Sequence, residues 1–117
     1  MNTPTSMASF RATVKRTYNT ADDFGDLDTL HALVGLTGEI GELADAVKRN
    51  QFYGLELDTD NVVEEIGDIL YYLSALMLCF DISFDEVVIA NQSKLERRYP
   101  DGFTRKDSIL RRDKTNK

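Results

Sequence analysis

The chain has 117 residues, with 20 acids against 14 lysines and arginines, one histidine, one cysteine and a formal net charge of −6. That length suits one domain, and a single cysteine with no Cys/His cluster excludes an intrachain disulfide and a structural zinc centre. Residues 105–117 are basic, with six cations and two acids, so residues 1–104 carry −10; an acidic body argues against nonspecific duplex binding, and no stable nucleic-acid partner is expected.

The N-terminus lacks a basic stretch followed by an apolar run, so no signal peptide is read there. The apolar stretch 69–80 is too short to span a bilayer. A cytoplasmic protein without a membrane partner is the expectation.

Helical periodicity predicts four main helices and almost no strand. The first covers about 5–19, with Phe10, Val14 and Tyr18 at helical spacing. An acidic linker, Ala21 to Asp26, follows. The second helix is expected to start with Asp28 or Thr29 as cap and to run to about Asn50. Phe52-Tyr53-Gly54 ends it, and a polar loop leads to Asp60.

The third helix is expected over about 60–80, capped by Asp60 or Asn61. Its second half, Ile69 to Phe80, is apolar on nearly every face, which predicts an oligomer that covers it. Ser83-Phe84-Asp85-Glu86 has the form of a capping box. The fourth helix then runs to about Arg98. Tyr99-Pro100-Asp101-Gly102-Phe103 reads as a turn, followed by a short helix from Thr104 to about Arg112. The basic end is expected to be solvated and frayed.

The chain writes nearly the same phrase twice. Residues 39–43 read Glu-Ile-Gly-Glu-Leu, and residues 65–69 read Glu-Ile-Gly-Asp-Ile. Acids at i and i+3 share a helix face, with Cβ atoms roughly 5–6 Å apart. Two such helices face to face aim Glu39, Glu42, Glu65 and Asp68 at one point, where a cation must balance them. Oxygen-only ligands suit Mg²⁺, with Mn²⁺ able to substitute, and Mg²⁺ keeps waters and phosphates as its other ligands. The natural substrate is then a polyphosphate. A glycine inside a helix costs roughly 1 kcal/mol relative to alanine, so Gly41 and Gly67 are expected to mark a close approach of helices two and three.

Other residues are candidates for substrate. Lys94 and Arg98, four apart on helix four, can act together on phosphate. Lys48, six residues after Glu42, is a further phosphate candidate. Tyr72 lies one turn beyond Asp68, Asn91 can read a base edge or sugar, and His31 lies roughly on the Glu39 side of its helix.

The motifs resemble those of MazG-like nucleotide pyrophosphohydrolases of the all-α NTP pyrophosphatase superfamily. The family pattern, EExxE, a spacer, then EExxD, appears here as Gly38-Glu39-Ile40-Gly41-Glu42 and Glu64-Glu65-Ile66-Gly67-Asp68. The resemblance runs from about Leu30 to Phe103, through Gly35-Leu36, Leu70-Tyr71-Tyr72-Leu73, Asn91, Lys94-Leu95 and Arg97-Arg98-Tyr99-Pro100. It implies a four-helix MazG-like bundle over 1–104, with a basic tail at 105–117, assembled as a homodimer or homotetramer.

It also implies hydrolysis of a nucleoside triphosphate between the α and β phosphates, giving monophosphate and pyrophosphate. Glu39, Glu42, Glu65 and Asp68 hold the metal by that pattern, and one of the acids, or Glu64 beside them, takes the proton of the attacking water. The end of helix four contributes to the phosphate site, and an aromatic at the Tyr72 position meets the nucleoside. Gly38 departs from the pattern where a glutamate is common. Two other readings stand beside this one: a narrow dUTP- or dCTP-type pyrophosphatase, and a catalytically degenerate nucleotide-binding oligomer.

Overall fold

The computed structural model describes residues 6–115 and is all-helical there: α1 Met7–Thr17, α2 Asp26–Tyr53, α3 Thr59–Cys79, α4 Phe84–Arg98, α5 Arg105–Leu110 and α6 Arg112–Thr115. Contacts separate two compact units, Met1–Ile82 and Ser83–Lys117. No helix among the described residues is long and apolar enough to cross a membrane.

In the first unit α2 packs along α3, and α1 lies against α3. Ser6 caps α1 by accepting from the Ser9 N–H at 3.1 Å. Position 5, where the sequence placed the start, lies outside the described residues. The helix ends at Thr17, before the expected 19, because Tyr18 turns to extended backbone and sends its ring into the core. That core is small: Val14, Tyr18, Ala32 and Ala75 are buried, with Phe10, Phe24, Tyr71, Tyr72, Leu76 and Leu78 packed against them.

The start of α2 differs from the sequence reading. The helix begins at Asp26, and neither Asp28 nor Thr29 is its cap. Asp22, outside the helix, takes the orphan donors instead: its carboxylate accepts from Gly25, Leu27 and Asp28 N–H at 3.1, 2.8 and 3.1 Å. Asp28 faces back into the linker, where Ala21 and Phe24 N–H each donate to it at 2.7 Å. A buried carboxylate must find donors, and this one ties the linker to the helix. The far end of α2 runs past Asn50 to Tyr53. Gly54 closes it at φ 68°, a left-handed cap that favours glycine.

Asp58, rather than Asp60 or Asn61, caps α3, accepting from Asp60 N–H at 3.0 Å. Gly41 and Gly67 do not mark a close approach, since a Cβ on either would meet nothing within 4 Å. The contact comes one to two turns earlier on α2, at Gly35. A Cβ there would fall 2.8 Å from Tyr72 Cδ1 and nearer still to Cε1 and Cζ.

In the second unit the capping box forms as read: Glu86 N–H donates to Ser83 Oγ at 3.1 Å, and Ser83 N–H donates to Glu86 Oε1 at 3.2 Å. Gly102 takes φ 89° in the turn after α4. Thr104 caps α5, and Arg111 at φ 48° breaks the expected single helix into α5 and α6. Over its described residues the tail is helical rather than frayed, and most of its side chains are exposed, as expected of a solvated end, but two of its acids are not. Asp107 and Asp113 are buried, paired with Arg112 at 3.2 Å and Arg98 at 2.7 Å.

Candidate metal and nucleotide site

Glu39 and Glu42 stand one turn apart on α2, and Glu65 faces them from α3. Their carboxylate oxygens can be chosen so that all three lie within 4.8 Å of one another. Oxygens on opposite sides of an octahedral Mg²⁺ lie about 4.2 Å apart, so less than an ångström of adjustment closes the trio on such an ion. Glu39 Oε2 and Glu65 Oε2 are shielded from solvent and have no hydrogen-bond partner. Buried acceptors without donors are costly, and a cation satisfies both at once. The residues present therefore fit a hard divalent ion.

Electrostatics agree. Burial, then the facing Glu65, then the charges of Glu42 and Asp68 push the Glu39 carboxyl up to about 7. The cluster as it stands repels its own charge, and a proton or a metal relieves it. Asp68 is half-buried and outside the close trio, yet near enough for its charge to act on Glu39. Glu64 is exposed.

The remaining candidates divide. His31 and Tyr72 join an aromatic group with Tyr18: ring centroids lie 5.2 Å apart for Tyr18–His31 and 6.1 Å for His31–Tyr72. Tyr72 meets Tyr71 edge-on at 5.7 Å. Tyr18 itself is buried, and burial followed by the Asp28 charge pushes its hydroxyl up to about 12. Lys48 is exposed on α2, 3.9 Å from Asp45, which also accepts from Arg49 at 3.0 Å.

Asn91, Lys94 and Arg98 belong to the second unit, all on α4. Asn91 is exposed and Lys94 half-buried, and Arg98 is held by Asp113. The sequence reading makes Asp28 a cap candidate, a role the structure does not give it, places Tyr18 only at helical spacing on the first helix and Gly35 only among the motif residues, and does not name Asp113.

A profile of the MazG nucleotide pyrophosphohydrolase domain matches residues 28–103. The chain belongs to the MazG nucleotide pyrophosphohydrolase family. The match spans both carboxylate phrases and closes just after α4, and the MazG family is generally dependent on a divalent metal. An uncharacterized protein of Bacillus subtilis (strain 168), YpjD, is 36% identical over 88 residues, 71% of this chain and 78% of its own. The Gene 37 protein of Mycobacterium phage L5 is 30% identical over 82 residues, 63% of this chain and 72% of its own. No solved structure matches. Within the MazG pattern, the position of Gly38 is open space, with nothing within 4 Å of where a Cβ would stand.

Proposed function

We propose that this MazG protein is a Mg²⁺-dependent nucleoside triphosphate pyrophosphohydrolase that converts (d)NTP to (d)NMP and pyrophosphate. The observation that carries the reading is the Glu39–Glu42–Glu65 trio, with two shielded oxygens that lack donors. Glu39, Glu42 and Glu65, with Asp68 beside them, would hold the ion. When bound, Mg²⁺ (or Mn²⁺) draws charge from the phosphate oxygens and makes water a better nucleophile.

The chain's own residues do the rest. A carboxylate of the cluster, or Glu64, takes the proton of the water that attacks the α-phosphorus, and the bond to the bridging oxygen breaks toward pyrophosphate. Lys94, Arg98 and Lys48 answer the negative charge of the phosphates. His31 and Tyr72 offer ring faces to the nucleoside, and Asn91 offers an amide.

The same reading makes the working form a homodimer or homotetramer. On α2, Leu30 and Val34 are 60% and 63% exposed, and on α3 Val63 is 65% exposed. Exposed apolar residues at helical spacing on both members of a helix pair favour burial against another copy.

A panel of ribo- and deoxynucleoside triphosphates, with pyrophosphate detection and added Mg²⁺, tests the proposal. Release should require metal and fall by at least the roughly 10–100-fold that loss of even an outer-shell partner of a metal site costs, in Glu42→Gln and in Asp68→Asn. Turnover confined to dUTP or dCTP selects the narrow alternative. Binding without pyrophosphate from any substrate selects the degenerate one, which the Gly38 departure favours.

A further inference from the structure

The tail beyond the family match reaches back to a candidate phosphate-binding cation. Arg98, inside the match, donates through Nε to Asp113 Oδ1 at 2.7 Å and through Nη2 to Asp113 Oδ2 at 3.0 Å. The Asp113 side chain is 1% exposed and that of Arg98 17%. Hydrogen bonding to Asp113 raises Arg98 further, and the guanidinium holds Asp113 low.

A guanidinium has five N–H donors in a rigid plane. The carboxylate takes two of them side-on. At least two donors, including one on Nη1, are left over. The long, rotamer-rich side chain is meanwhile fixed in one plane.

We propose that Asp113 is a positioning residue: it locks the Arg98 fork from the side, so that the remaining donors are held in one plane, ready to donate to a phosphate. Immobilising a flexible cation before the ligand arrives removes an entropic cost from binding. Lysine at position 98 would keep the charge but lose the fork. The inference rests on the reading of Arg98 as a phosphate contact. It adds that an acid outside the family domain governs that contact.

Binding of inorganic tripolyphosphate with Mg²⁺ to the full chain, by calorimetry, tests this without a base preference. Kinetics on the best nucleotide and the Arg98 Nε–H resonance are recorded in parallel. Asp113→Asn keeps the side-chain shape and one acceptor oxygen, so its melting curve should show a folded chain. Arg98→Ala should weaken tripolyphosphate binding by about tenfold, the scale of one charged hydrogen-bonding group. Asp113→Asn should weaken it severalfold, raise KM with kcat held, and move or broaden the Nε–H signal. The double variant should bind no more weakly than Arg98→Ala alone.

Unchanged binding in Asp113→Asn beside a weakened Arg98→Ala would leave the pair purely structural and overturn the proposal. Tighter binding in Asp113→Asn would overturn it too, by showing that the acid competes with phosphate. Wild-type binding in Arg98→Ala would show instead that the phosphate reading of Arg98 fails, and the inference with it. Should Asp113→Asn melt below the assay temperature, Arg98→Lys replaces it: binding equal to wild type would mean that the oriented fork is not used.

Discussion

Gly35 of α2 gives up its Cβ to the ring of Tyr72 on α3. A methyl at that position would fall within 2.8 Å of Tyr72 Cδ1 and nearer to two other ring atoms. Alanine normally improves a helix by about 0.5–1 kcal/mol over glycine. Overpacking costs typically 1–3 kcal/mol, so Gly35→Ala should lose about 1 kcal/mol net. A thermal melt should show a fall of roughly 4–8 °C for a unit of this size. If Tyr72 meets the nucleoside, KM for nucleotide should rise in the same variant, and tripolyphosphate binding should not.

Gly41→Ala makes the contrasting test. Its Cβ position is open, so helix propensity alone predicts a gain of about 0.5–1 kcal/mol and a higher Tm. A more stable variant with reduced pyrophosphate release would place the need for glycine in the loaded site or the assembled oligomer. Retained activity would leave the repeated glycine without a role in turnover.

These two glycines show what the sequence could carry. Periodicity found each main helix, because apolar spacing is a local property. The capping box of Ser83 and Glu86 and the Gly54 stop were legible for the same reason, as each involves neighbours in the chain. Glu39, Glu42 and Glu65 were legible as a cluster because helical spacing fixes two of them and the repeat suggested the third. What escaped depends on contacts across the chain. Asp28 is an ordinary cap candidate until the linker is seen folding back on it. Asp113 is one acid in a basic tail until Arg98 is seen beside it. Repetition, visible in sequence, points to Gly41 and Gly67, whereas the Tyr72 ring lying on the backbone at Gly35 is not visible there.

Metal binding should be measurable as stability. An ion that binds the folded chain at a hundred times its Kd adds about 2.7 kcal/mol, a rise in Tm on the order of 10 °C. Mn²⁺ or Mg²⁺ should produce it, and EDTA should reverse it. Glu65→Gln should behave in two opposite ways. Without metal its Tm should match or exceed wild type, since one charge leaves a self-repelling cluster. With metal the rise should shrink to a small fraction. An undiminished rise would remove Glu65 from the ligand set.

Asp28 predicts the acid limb of stability. Burial alone would raise its pKa, but donors from Ala21, Thr20 and Phe24 overcome that and hold it at about 2, against 3.8 for a free aspartate. An acid depressed on folding stabilises the fold at every pH above its unfolded value. That stabilisation fades as pH falls from 3.8 toward the folded value. Wild type should therefore lose Tm across that window. Asp28→Asn turns an amide N–H toward one of the two backbone donors. Its Tm should be lower by several degrees at pH 7, and the gap should narrow toward pH 2. A gap that is constant with pH would mean that the charge of Asp28 is not what holds the linker.

Assembly and metal binding should be separable. Leu30→Glu and Val63→Lys each put a charge on an apolar, exposed position of the α2–α3 pair. Light scattering should find wild type as a dimer or tetramer and both variants shifted to monomer, with the concentration dependence of Tm lost as well. Neither residue is in the carboxylate trio, and Glu39, Glu42 and Glu65 all come from one chain. Mn²⁺ should therefore still bind the monomeric variants within a fewfold of wild type. If a second copy contributes substrate contacts, pyrophosphate release should fall further than metal affinity. Equal loss of both would shift the explanation to α2 and α3 themselves, held in register for the metal only when a second copy covers their apolar faces.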